Sequence, residues 1–95
     1  MNRKEIVIAL IKILKENQII LGEEVGEITE KTRPIGDLSK FDSLMGVDVT
    51  VICCTKFGID ADKKIISLFV GENDKGFPYA LNIGQIADLV LTLAN

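Results

Sequence analysis

Phe41-Asp42-Ser43-Leu44-Met45-Gly46-Val47-Asp48-Val49-Thr50-Val51-Ile52-Cys53-Cys54-Thr55-Lys56-Phe57-Gly58-Ile59-Asp60 is the stretch on which the reading of the whole chain turns. An acid and a serine precede a strongly apolar run that ends at Phe-Gly-Ile-Asp. Aspartate is a preferred N-cap, so the sequence predicts a helix from Ser43 to Phe57 with Asp42 as its cap. Ser43 then holds the first helical position, its hydroxyl pointing outward at the positive end of the helix. The opening N–H groups of a helix lack intrahelical partners, and a phosphodiester formed on that serine would face them.

Upstream of this stretch, residues 18–41 lose helical periodicity and are broken by Gly22, Gly26, Pro34 and Gly36. A connection this long usually carries function or short elements of its own. Ile20, Leu21, Val25, Ile28, Ile35, Leu38 and Phe41 recur as single apolar anchors that can pin it to a core. Its acids Glu23, Glu24, Glu27 and Glu30 lack calcium-loop spacing and read as a solvated face. Before the loop, Asn2-Arg3-Lys4-Glu5 is a capping box opening a helix to about Asn17. Ile6, Leu10, Ile13 and Leu14 form its inward stripe, widened by Val7 and Ile11.

Downstream, Asp60-Ala61-Asp62-Lys63-Lys64 can open a short helix, and Ile65 to Val70 can equally be a strand. Gly71 to Gly76 is a turn by composition, and Phe77 to Leu81 looks extended, so a short hairpin between residues 66 and 81 is one outcome. Phe77 and Tyr79 beside that turn read as core cover, with a ligand pocket as the alternative. A second capping box, Asn82 with Gln85, starts a last helix whose inward residues are Ile83, Ile86, Ala87, Val90 and Leu93, with Asp88 and Thr92 outward.

Composition narrows the function classes. The 95 residues make one domain, 1–95, and 47% apolar content describes a packed chain. A net charge of -3 supplies no basic footprint for nucleic acid. There is no histidine, which removes the commonest general base and metal ligand. Cys53 and Cys54 are adjacent, match no zinc or disulfide framework, and are expected to pack as small hydrophobes with one partly exposed. Lys12, Lys15 and Glu16 interrupt the apolar run of the first helix, so neither a signal peptide nor a membrane span is expected, and a reduced cytoplasmic setting follows as the default.

Gly36-Asp37-Leu38-Ser39-Lys40-Phe41-Asp42-Ser43-Leu44, then Val47-Asp48-Val49 and Lys56-Phe57-Gly58-Ile59-Asp60, resemble the acyl carrier protein family. Leu81-Asn82-Ile83 and Ala87-Asp88-Leu89-Val90 extend the resemblance into the last helix. It implies an all-α fold, a small four-helix bundle with a long first loop, here with an irregular insertion replacing or displacing the usual short third helix. It also implies that Ser43 carries phosphopantetheine, donated by coenzyme A in a magnesium-dependent transfer by a separate phosphopantetheinyl transferase. Asp42 would cap the helix and help orient the serine near the metal, and Leu44 would sit beside the arm. Acyl-loading and acyl-accepting enzymes would be the further partners of a monomeric carrier that is not itself an enzyme and holds no metal of its own. Fatty acids, amino acids, polyketide units and hydroxy acids are all cargo of this family.

One departure stands out. Family members carry several acids along this helix, read by basic patches on their partners; here only Asp48 is acidic, and Met45, Cys54, Thr55 and Lys56 occupy positions where acids commonly sit. A helix apolar on all sides is either deeply buried or docks its outer face on something. Val47, Val51 and Cys54 are the expected docking strip, with Met45 and Asp48 in the same partner surface. An alternative is a carrier-like interaction module whose serine stays unmodified. An enzyme using Cys53 or Cys54 as nucleophile is the remote reading, because nothing in the chain would activate the thiol.

Overall fold

The computed structural model describes residues 1–60 and 65–94. Three helices of several turns build it: α1 (Arg3–Ile20), α3 (Ser43–Phe57) and α4 (Ile83–Ala94). Between the first two lies α2 (Pro34–Asp37), a single turn interrupted by Ile35 at ψ 107 and Gly36 at φ 116. Two short strands, β1 (Val70–Glu72) and β2 (Pro78–Ala80), form an antiparallel hairpin ahead of α4. The all-α expectation is therefore corrected: the domain is mostly helical and includes a two-stranded sheet. The proposed short helix at Asp60 to Lys64 falls largely on residues 61–64, outside the described residues.

Local chemistry starts each helix where the sequence does. Asn2 Oδ1 accepts the Glu5 N–H at 2.9 Å, and Glu5 Oε1 accepts the Asn2 N–H at 3.1 Å, which closes the first box. Asn82 and Gln85 close the second at 2.8 and 2.9 Å. At the other end of α1, Gly22 at φ 76 lets the Glu23 N–H turn back to the Gln18 carbonyl, so the helix runs one turn beyond the expected Asn17. That extension leaves Ile20 82% exposed, so it is not the loop anchor expected of it.

Helix α1 packs chiefly on α4 and makes a smaller contact with α3. Ile6, Leu10 and Leu14 meet Ile83, Ile86, Ala87 and Val90, and Val49, Cys53 and Phe57 close the core from α3. Leu93, expected inward on α4, is half-buried against this core. Ile28 and Phe41 are buried from the long loop, while Val25, Ile35 and Leu38 lean on the core from its edge. Gln18 is buried too, and its Nε2 donates to the Ser39 carbonyl at 3.0 Å, which fixes the loop just ahead of Asp42.

The hairpin is pinned by register and by core contact. Val70 faces Ala80, Gly71 faces Tyr79 and Glu72 faces Pro78. Pro78 lies on a two-stranded ribbon, where a missing N–H is tolerated. The Tyr79 ring covers Gly71, and a Cβ there would come within 3.2 Å of its Cζ. Phe77 and Tyr79 remain exposed at 62% and 43%, so they do not cover the core as expected. The residues that do are Leu68 and Phe69, both fully buried just before β1.

Candidate functional site

Helix α3 begins as the sequence predicts. Asp42 adopts extended backbone at φ -101 and ψ -175, and its Oδ1 accepts the Met45 N–H at 2.9 Å. The Gly46 N–H closes the first intrahelical bond to the Asp42 carbonyl at 3.0 Å. Among the described residues, this leaves the Ser43 and Leu44 N–H groups as the open donors of the turn. By contrast, the first amides of α4 are taken up, since Ile83 and Gly84 donate to the Thr32 and Glu30 carbonyls at 2.9 Å each.

Asp42, Ser43 and Leu44 are all exposed, Leu44 at 73%. Phe41 immediately before them is 3% exposed and makes an edge-on contact with Phe69, ring centroids 5.2 Å apart. One buried aromatic thus fixes the base of an otherwise solvent-facing tip. A serine on an exposed helix tip beside two open N–H donors is a place where an anionic group finds hydrogen-bond partners.

The structure distributes the other candidate residues over two aspects of α3. Asp48 and Val51 face solvent with Leu44, Val51 being 65% exposed. Met45, Val47 and Cys54 are half-buried along the helix flanks, and Met45 Sδ accepts a weak hydrogen bond from Asn17 of α1 at 3.7 Å. Val51 and Cys54 line a cleft with Ile59 and Ile65. Ile52, placed by its spacing beside Val49 and Cys53, is instead 53% exposed and belongs to the outer surface. Only Val49, Gly46, Thr50, Cys53 and Phe57 of this helix are buried.

The cysteines offer no nucleophile. Burial pushes the Cys53 thiol up to about 12, with the neighbouring Cys54 adding to the rise, and burial also raises Cys54. Neither thiol is a thiolate at neutral pH. Among the described residues, no group of three histidine, cysteine or acidic side chains is placed to hold a metal. Nor is any described helix long and apolar enough to cross a membrane.

Two supporting residues escape a reading of the sequence alone. Thr50 is 2% exposed; its hydroxyl donates to the Gly46 carbonyl at 2.6 Å and accepts the Leu68 N–H at 2.9 Å. This side chain ties the irregular segment before β1 to the first half of α3. Gly46 permits the approach, since a Cβ there would lie 3.3 Å from Ile35 Cδ1 and 3.5 Å from Ser67 Oγ. Glycine inside a helix costs about 1 kcal/mol relative to alanine, and that cost is the signal in the sequence for a close neighbour. Thr50→Val keeps the shape and strands the buried Leu68 N–H, so it should lower unfolding free energy by about 2 kcal/mol in urea titration, with Thr50→Ser recovering most of the loss.

No protein-family model, curated protein or solved structure matches this chain.

Proposed function

We propose that this chain is a carrier protein of the acyl carrier type, in which Ser43 receives a phosphopantetheine arm from coenzyme A through a separate transferase. The arm would present an acyl or related group, as a thioester, to loading and accepting enzymes of lipid or secondary-metabolite synthesis in a reduced, cytoplasmic setting. The observation that carries this reading is the exposed Ser43 hydroxyl at the first position of α3, with Asp42 capping behind it and open N–H donors beside it. In this role the protein is not an enzyme. It delivers, and tethering raises the local concentration of cargo at each partner's site.

Ser43, Leu44 and Asp42 form the modification end, and the partner surface continues along Val47, Asp48, Val51 and Cys54 with Met45 at its edge. Intact mass spectrometry of the protein after incubation with coenzyme A and a broad-specificity transferase tests the reading. Addition of one arm per chain supports it, and an unchanged mass in the presence of a transferase active on a control carrier removes it.

The second reading, an unmodified interaction module, is favoured by the exposure of Leu44, Val51 and Ile52 around a single acid, Asp48. Both readings make Val51 a contact residue. Val51→Glu should leave the thermal midpoint within about 2 °C of wild type, because the side chain is solvent-facing. It should weaken capture of a native partner at least about tenfold, the effect of burying an unpaired carboxylate in an apolar contact. Loss of the fold in that variant would place Val51 in the core and end its role in docking.

A further inference from the structure

A groove runs between α1 and the C-terminal half of α3, away from Ser43. Its floor is apolar: Ile8 of α1 and Ile52 of α3 are 58% and 53% exposed, with Ala9 between turns of the floor. Its rim carries charges of both signs, Glu5 and Glu16 against Lys12 and Lys56. The exposed isoleucine pair offers a small apolar contact, and the order of charges on the rim restricts which partner fits.

The restriction comes from order along α1. If a second α1 is laid antiparallel across the first, with a two-fold axis passing between Ile8 and Ala9, each Ile8 falls opposite Ala9 of the other copy. The same operation sets each Glu5 opposite the other copy's Lys12, twice over. Met1 and Glu16, at the two ends of the groove, exchange as well. Of the groove-lining residues, Ile8 and Ala9 thus map onto one another, large side chain onto small, and so do Glu5 and Lys12, acid onto base. A contact of this kind needs the same face on both partners, and only another copy of this chain has it.

We infer that the α1/α3 groove is a self-association face, on which two copies pair through antiparallel α1 helices with reciprocal Glu5 to Lys12 ion pairs around an Ile8 and Ile52 centre. This replaces the monomer expected from sequence and is independent of whether Ser43 is modified. One Glu5 oxygen is already committed to the Asn2 N–H, which holds the carboxylate at the helix start. The rim as a whole is neutral, so the long-range repulsion between two acidic chains is least where the copies meet. Small interfaces of this type are weak and reversible.

Sedimentation equilibrium on the full chain, from about 10 μM to about 1 mM, covers the range in which such contacts dissociate. The average mass should climb from one chain towards two. Lys12→Glu should raise the dissociation constant at least about tenfold by setting carboxylates opposite one another, and Lys12→Ala, which removes the pair without repulsion, should raise it by about threefold. Ile8→Lys, on a solvent-facing position that cannot disturb the core, should abolish pairing. A chain that stays single throughout the range overturns the inference, whether or not it binds neutral lipid vesicles through the same groove. So does a dimer indifferent to Lys12→Glu, or one weakened as much by Lys12→Ala as by Lys12→Glu.

Discussion

Ser43→Ala, incubated with coenzyme A and a broad-specificity transferase, is expected to keep the mass of the bare polypeptide while the wild-type chain gains one arm. The difference should be all or none, because the bond to be formed needs a hydroxyl oxygen and alanine has none. The substitution should be silent for the fold. Ser43 is exposed at the first position of α3, its side chain bonds to no other group among the described residues, and the cap that starts the helix is the Asp42 carboxylate. Alanine is moreover the best helix former, so the thermal midpoint should match wild type within a degree or two. Modification surviving in the alanine variant would move the attachment to another residue and remove the carrier reading of this tip.

The largest loss of stability is expected for Phe69→Ala, about 3–5 kcal/mol in urea titration, against a total of about 5–15 for a domain of this kind. Phe69 is fully buried, it supports the Phe41 ring at 5.2 Å, and its carbonyl accepts the Leu81 N–H at 2.9 Å. Alanine keeps the backbone bond and empties the ring volume between α3, the hairpin and the long loop. Because Phe41 directly precedes Asp42, the capping geometry at Ser43 should loosen as well, so arm attachment should slow in any fraction that stays folded. Phe69→Leu should cost about 1.5 kcal/mol, since most of the volume is retained. A small effect of the alanine variant would mean that the core closes without this residue.

What the sequence discloses and what it hides follow one physical division. Asn2 with Glu5, Asp42 and Asn82 with Gln85 act within four residues of themselves, so three helix starts could be read directly. The same locality made the placement of Ser43 at the first turn of α3 legible. Helix stripes were legible for a related reason: Ile6, Leu10 and Leu14 on α1, and Ile83, Ile86 and Val90 on α4, recur at helical spacing. On α3 the pattern gave no such guide, because Val49, Val51 and Ile52 are equally apolar and only neighbours distant in sequence decide that the first is buried and the other two are not. The bond from Leu68 to Thr50 spans 18 residues and leaves no periodic trace. The hairpin had a visible turn, yet its register depends on Leu68, Phe69 and Leu81 reaching the core, which no local rule supplies.

The 15 residues of α3 separate Ser43 from Lys56 by roughly 20 Å of helix axis. That distance would keep a handover at the front tip and a grip at the rear from contending for the same ground. A copy engaged through its rear would still offer its hydroxyl to a visiting enzyme, and two engaged copies would offer two. The spacing would then turn a single small domain into a paired dispenser, with the second load close at hand when the first has been taken.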